Sequence, residues 1–210
     1  MLALALLQQC APAIDPIVAQ AIVKTESSFN HLAIGVNKGG RISQPKDYKQ
    51  AVVTATRLIN SGGNIDLGLA QINSKNLSWL KLPVESAFDP CANLKAMQTV
   101  YSHCYERAGN SGLGTRMQRA FSCYNTGNMT RGFKNGYVTK VTKNYNELQP
   151  LVAAALNKTT QPTIQARTLS PLPNNSSELA DFATRLQSQQ QTDVVVAVAT
   201  KESWDIFRDF

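Results

Sequence analysis

Two cysteines on one predicted helix constrain this chain more than any other feature. The segment Pro90–Ala108 reads as a single helix, and on it Cys91 and Cys104 stand 13 residues apart. At 1.5 Å per residue that is roughly 20 Å, far beyond disulfide reach. They cannot pair with each other. Cys104 and Cys123 are centred on the Gly109–Gly114 turn, which would fold two antiparallel helices together, so this pair can face across the hairpin. That leaves Cys10 with Cys91. The alternative is four reduced core cysteines. No C-x-x-C pair suggests zinc, and the oxidised reading implies an extracytoplasmic site.

Of the 210 residues, 43% are hydrophobic and 17% charged, the balance of a globular chain and not of a wholly disordered one. The length allows one good-sized domain with an appendage. No apolar stretch approaches the roughly 20 residues that span a bilayer, so no transmembrane segment is expected. The formal charge of +7 is unevenly placed: residues 1–150 hold 16 basic and 8 acidic side chains, and residues 151–210 hold 5 and 6. A basic field of this kind favours an anionic partner such as an acidic polysaccharide, a membrane surface or nucleic acid. Nucleic acid is disfavoured because no zinc-finger, RNP or basic-zipper pattern accompanies the charge.

Asp15-Pro16 is a helix start, with Asp as N-cap and Pro at the first helical position. Ile14, Ile17, Val18, Ala21, Ile22 and Thr25 then form one stripe, which predicts a helix over Pro16–Ser27. Val36-Asn-Lys-Gly-Gly40 reads as a turn between two short extended pieces within Ile34–Ser43, followed by a helix over Asp47–Asn60 closed by Gly62-Gly63. Further helices are predicted over Ser74–Leu80, Thr115–Asn125 and Tyr137–Gln149. From Asn157 to Ser177 the composition shifts to Thr, Gln, Asn, Ser and Pro, as in a solvated linker. The expected division is therefore a domain over 1–150 and a polar linker with a flexible C-terminal tail over 151–210. The tail is expected to hold a short amphipathic helix (Leu179, Phe182, Ala183, Leu186), an apolar run Val194–Ala199 and an aromatic end, Ser203-Trp-Asp-Ile-Phe-Arg-Asp-Phe210.

Glu26 follows Ile22 by four residues and Val18 by eight, so its carboxylate lies at the end of the apolar stripe and not on the wet face. Burial against apolar groups raises a carboxyl pKa by desolvation, and a Glu protonated near neutral pH is a ready general acid. The competing reading is a helix-end Glu that points to solvent or joins a cap.

Three ordered motifs decide between these readings. Glu26-Ser-Ser-Phe-Asn30, Gly68-Leu-Ala-Gln-Ile-Asn73 and Ala120-Phe-Ser-Cys-Tyr-Asn-Thr-Gly127 resemble, in this order, the motifs of lytic transglycosylases with a goose-type-lysozyme-like fold. The similarity is closest to the specialised transglycosylases of bacterial type IV secretion systems. His31-Leu-Ala-Ile-Gly-Val-Asn37, the run Asn64–Leu77 and Phe88-Asp-Pro-Cys-Ala-Asn-Leu94 fit that subgroup, and the resemblance covers about residues 10–148. It implies a mainly α, lysozyme-like domain with a small extended or β insertion.

By position, the resemblance makes Glu26 the single catalytic acid/base and Gln71 a side chain lining the substrate groove. Tyr124 and Asn125 become the pair beside the reacting sugar, and Tyr137, which opens Tyr-Val-Thr-Lys-Val141, a tyrosine near the catalytic carboxylate. Core aromatics and helix caps are the structural alternatives for these four. Two departures stand out. Ala70 replaces the usual Met of G-L-M-Q, and the long segment Ile34–Asp66 replaces a short Ser-x-x-Gly connection, so the family serine near the acid is not assigned. The longer connection is read as a trait of the secretion-type subgroup.

The implied activity is cleavage of the β-1,4 bond between N-acetylmuramic acid and N-acetylglucosamine in peptidoglycan, closing a 1,6-anhydro ring without water. No cofactor and no metal are expected. Paired-carboxylate glycosidases need a second acid; Asp66 is the nearest candidate, with a structural or capping role preferred. The alternatives are a lysozyme-type murein hydrolase and an inactive murein-binding assembly scaffold. The expected partners are peptidoglycan glycan strands and, through the tail, type IV secretion subunits. The expected location is the periplasm, although the only candidate leader core, Leu2–Leu7, is short, has no basic segment before it and no small-x-small site behind it. Leu7-Gln-Gln-Cys10 is likewise a poor lipoprotein box.

Overall fold

The computed structural model describes residues 1–37 and 40–159, the side chains of 157–159 excepted. The expected tail elements, from the helix at Leu179 to the aromatic end at Phe210, lie outside the described residues. What is described is mostly helical with one small sheet, in agreement with the expected fold class.

Helix α2 spans Pro16–Ser27 as predicted, and Asp15 caps it by accepting from the backbone N–H groups of Ile17 and Val18. Helices α4 (Pro90–Arg107) and α5 (Arg116–Thr126) form the predicted hairpin. Thr115 opens α5 in a capping box with Gln118. Cys104–Cys123 crosses this hairpin with Cα atoms 5.6 Å apart, and Cys10–Cys91 ties the N-terminal residues to the start of α4 with Cα atoms 5.1 Å apart. The turn between the helices is shaped by Arg119. Its guanidinium is buried and donates to the carbonyls of Ala108, Gly109 and Gly114 at 2.9, 3.0 and 2.6 Å. A buried charge without such partners would be strongly destabilising.

Several elements depart from expectation. Leu4–Cys10 forms a helix, α1, whose Leu7 and Cys10 are each 1% exposed, so the run considered as a leader core is packed into the domain here. The Gln20 side chain joins α1 to α2 by bonding both the N–H and the carbonyl of Leu2. The helix expected over Ser74–Leu80 is a single 3-10 turn, Ser74–Asn76. Leu77 and Leu82 pack between the two hydrophobic cores, which a regular helix presenting one face would not allow. After the short helix α6 (Arg131–Lys134), helix α7 runs from Tyr137 to Thr159, well past Gln149, with Pro150 inside it. A proline there removes one backbone bond and costs stability; Leu148, two residues before it, packs in the main core, and Val152, two residues after it, is buried.

The insertion is a second, smaller layer. Strands β1 (Ile34–Val36), β2 (Ile65–Leu67) and β3 (Ile72–Asn73) make an antiparallel sheet in the order β1-β2-β3. The register pairs Ile34 with Leu67 and Leu67 with Ile72. The two extended pieces expected within Ile34–Ser43 therefore do not pair with each other. Gln44 takes the outer edge of β1 instead, its side-chain amide bonding the N–H and the carbonyl of Ile34 at 2.9 Å each. Helix α3 (Tyr48–Asn60), capped by Asp47, lays Ala51 and Ala55 against this sheet and Phe88. The main core is built around α2, α4, α5 and α7.

Candidate functional site

Glu26 sits in the last turn of α2, where the helix meets both α7 and the sheet. Tyr137, the first residue of α7, donates its hydroxyl to Glu26 Oε1 at 2.6 Å. Helix α7 is held against α2 by further contacts: Asn144 donates to Thr25 Oγ1 at 2.8 Å, Lys140 Nζ to the Thr25 carbonyl at 3.3 Å, and Lys24 pairs with Glu147 at 2.7 Å. Thr25 in turn bonds back to the Ala21 carbonyl within α2.

The Glu26 carboxyl is pushed up to about 7. Burial is the main cause, and the nearby Asp66 charge adds to it; the Tyr137 bond and the Lys140 charge act the other way. Near neutral pH, Glu26 thus exists in both forms. Tyr137 and Tyr124 are both held well above the ordinary phenol range, by burial first and then by the Glu26 charge, so each is a neutral donor.

The opposite wall comes from the β2–β3 turn. Ser27 donates to the Leu69 carbonyl at 2.7 Å, and Tyr124 of α5 donates to the Ala70 carbonyl at 2.8 Å. These two bonds join the three sequence motifs in space. The turn itself hangs on Asn93 of α4, which is fully buried. Its amide accepts from Ala70 N at 2.8 Å and donates to the carbonyls of Leu67 and Ala87 at 2.9 and 2.7 Å. Gly68 has φ +74, and a Cβ there would lie 2.3 Å from the Ala87 carbonyl oxygen. Only glycine fits.

Gln71 has φ +50, a left-handed conformation unusual for a side-chain-bearing residue. Its side chain turns back to donate to the Gly68 carbonyl at 2.9 Å and the Ala33 carbonyl at 3.2 Å. Gly35 makes room for it: a Cβ at that position would come within 2.7 Å of Gln71 Oε1. Asn125 is exposed at the end of α5 and accepts from Asn135, not from Glu26 or Tyr124. The site therefore groups Glu26, Tyr137, Tyr124 and the turn bearing Gln71, with Asn125 on its outer side.

Asp66, on β2, has each carboxylate oxygen taken by an amide, from Asn73 at 2.7 Å and Asn37 at 2.8 Å. These bonds suit the structural role preferred for it, while burial raises its pKa. Sequence reasoning gave no role to Asn93 or Ser27. Both stand inside quoted motifs, and that was their only signal, since the carbonyls they bind are distant in sequence.

Residues 4–147 match the family model for the transglycosylase SLT domain. The type IV secretion system protein virB1 of Brucella abortus is 36% identical over 201 residues, covering 92% of this chain and 80% of that protein. The virB1 protein of Rhizobium radiobacter is 37% identical over 146 residues, covering 68% of this chain and 60% of that protein. No solved structure matches. With the family model spanning the helical core and the sheet alike, the chain belongs to the transglycosylase SLT family and, within it, to the virB1 lytic transglycosylases of type IV secretion.

Proposed function

We propose that this enzyme cleaves the β-1,4 bond between N-acetylmuramic acid and N-acetylglucosamine with Glu26 as its single acid/base. The observation that carries the reading is the Glu26 carboxyl, raised to about 7 and held on one oxygen by Tyr137. A carboxyl poised near neutral pH can both give and take a proton. In the first step Glu26 gives its proton to the glycosidic oxygen as the C1–O bond breaks, and the substrate's own N-acetyl group supports the oxocarbenium-like transition state. Ionised Glu26 then takes the proton of the C6 hydroxyl as O6 bonds to C1. The product is a 1,6-anhydro sugar, and no water is consumed.

Tyr137 orients the carboxyl and stabilises its ionised form. Tyr124 fixes the turn that carries Gln71, which lines the groove, and Asn125 lies at the groove's edge beside the reacting sugar. Both Asp66 oxygens are already engaged, which supports a one-carboxylate mechanism over a hydrolase that uses Asp66 as base. Mass spectrometry of digested peptidoglycan tests the reading, because anhydro products are lighter by one water than hydrolysed ends. Reducing ends alone would overturn it in favour of hydrolysis, and binding without cleavage would favour a scaffold.

The setting is the periplasm, where local opening of the wall would serve assembly of a secretion or conjugation apparatus. Among the described residues no helix is long and apolar enough to cross a membrane. Residues 151–159 belong to α7 and not to the expected linker; the residues beyond them act as a linker and interaction tail in this reading, recruiting the catalytic domain to secretion subunits through Trp204, Ile206, Phe207 and Phe210. Large aromatics are favoured interface anchors. Deleting residues 161–210 should leave cleavage of purified peptidoglycan intact and reduce secretion in cells; equal loss of both would show that the tail belongs to the catalytic fold.

A further inference from the structure

The insertion between the first two motifs does more than cover the sheet. Its helix α3 presents Lys49, Val53 and Arg57 at spacings of four residues, so the three side chains line one face. That face and the segment leading into the helix, with Ile42, Pro45 and Lys46, enclose an open groove of about 640 Å³. The volume is that of sites which take small ligands or short peptides. Three cations edge the groove, and no salt bridge with a carboxylate is formed by Lys46, Lys49 or Arg57 among the described residues. Asp47, next to them in sequence, is occupied in capping the helix through Gln50 N. Val53 is 60% exposed, which leaves an apolar floor between the charges.

The groove is connected to the site already described. Gln44 lines it and also binds both backbone groups of Ile34 on β1. The next residue, Gly35, packs directly against the side chain of Gln71. One strand therefore separates the basic groove from the turn expected to line the glycan path. None of Glu26, Gln71, Tyr124, Asn125 or Tyr137 lines the groove.

Peptidoglycan strands carry short peptide stems with free carboxylates on the lactyl group of each muramic acid. We infer that the groove between α3 and residues 42–46 binds these anionic stems, holding peptide-bearing strands beside the glycan site. Lys46, Lys49 and Arg57 pair with the stem carboxylates, and Val53 and Ile42 contact the aliphatic parts. This rests on the proposed peptidoglycan substrate, and it gives the insertion a role in choosing peptide-bearing over bare strands.

The test uses the full chain and a soluble probe, N-acetyl-L-Ala-γ-D-Glu-meso-diaminopimelate-D-Ala, whose acetyl group stands for the lactyl amide, with a copy in which every carboxyl is amidated as the counterpart that lacks the anionic groups. The free peptide should bind more tightly than the amidated one, and added salt should weaken it. The triple variant Lys46→Ala, Lys49→Ala, Arg57→Ala should bind it about tenfold more weakly, as expected for the loss of three exposed ion pairs. Wild type should cleave intact peptidoglycan faster than strands stripped of peptides by an amidase, and the variant should cleave both at the slower rate. All three positions are exposed, and an unchanged Tm checks that the variant is folded; if it is not, the single variant Lys49→Gln and the amidated peptide carry the test. Equal binding of free and amidated peptides, or unchanged cleavage preference in the variant, would overturn the inference. Reduced secretion by a variant whose peptide binding and cleavage are normal would also overturn it, in favour of an acidic protein partner. If wild type released no anhydro products from either substrate, the proposed reaction would fail, while the peptide-binding result would remain readable by itself.

Discussion

Tyr137 and Glu26 are 111 residues apart in sequence and share a hydrogen bond of 2.6 Å, so the start of α7 is fastened to the end of α2 at a carboxyl poised near neutrality. The bond lowers the Glu26 pKa, against the larger effect of burial. Tyr137→Phe removes that opposition. The pKa of Glu26 should rise further, and the alkaline limb of the pH–rate profile, where Glu26 loses the proton it gives to the glycosidic oxygen, should move to higher pH while the maximal rate falls. A profile whose limbs stay where they are in wild type would mean that the tyrosine is only a packing residue.

Glu26→Gln keeps the shape of the side chain and removes the transferable proton. Cleavage should fall by several orders of magnitude, since Asp66, the nearest other candidate, already has both oxygens hydrogen-bonded to amides. The measurement is release of soluble fragments from purified peptidoglycan by a variant shown to be folded. Near-normal release would remove Glu26 from the mechanism.

The same substitution should change how stability depends on pH. Glu26 ionises at an ordinary 4.5 when unfolded and at about 7 when folded. Between those values the folded state holds the proton and the unfolded state has lost it, so stability is full below 4.5 and declines as pH rises through about 7. The interval corresponds to roughly 3 kcal/mol as an upper figure. Chemical denaturation of wild type and Glu26→Gln at pH 4.5 and pH 8 reads it directly. The variant should gain on wild type at the higher pH, and parallel curves would contradict the buried position of the carboxyl.

How much of this was legible in the sequence depended on distance along the chain. Asp15-Pro16 announced α2 to the residue because a cap and its helix are adjacent. Glu26, Gln71 and Tyr124 stand in the three ordered motifs and Tyr137 in a separate matching segment, and the structure supplies what motifs do not state, namely that Ser27 and Tyr124 grip consecutive carbonyls of one turn. The sheet was harder. Strand β3 is two residues long and β1 pairs with a segment some thirty residues later, beyond any local pattern. Leu4–Cys10 is apolar on too many sides to show a helical stripe, and α7 runs past its expected end at Gln149 and through Pro150, with Leu148 and Val152 buried on either side.

Asn93 gives a sharper test of the turn. Replacing it with Ala leaves Ala70 N, the Leu67 carbonyl and the Ala87 carbonyl without their shared partner. Buried groups left unsatisfied cost about 1–3 kcal/mol each, so a loss of at least a few kcal/mol is expected. Gly68→Ala should be similarly harmful through a Cβ clash and a positive φ. Thermal denaturation checks both, and a Tm within a degree or two of wild type would show that the turn is held by other means.

The disulfides divide the stability between two scales. Cys10–Cys91 closes 81 residues and Cys104–Cys123 closes 19. In the chain-entropy model these contribute roughly 4.5 and 3 kcal/mol. Replacing each pair with Ser should lower the denaturation midpoint, more for the longer loop. The reverse order would place the main constraint in the α4–α5 hairpin.

That hairpin has a second fastening of a different kind. The side chain of Arg119 donates to three main-chain carbonyls, those of Ala108, Gly109 and Gly114, at 2.9, 3.0 and 2.6 Å. Tyr124 projects from the helix that Arg119 begins to anchor. The proposed reaction asks Glu26 to change charge at each turnover, while the hairpin facing it is held through main-chain carbonyls, which do not titrate. Acidification across the range that protonates Glu26 should therefore alter the chemistry at one end of α2 without loosening the frame that faces it.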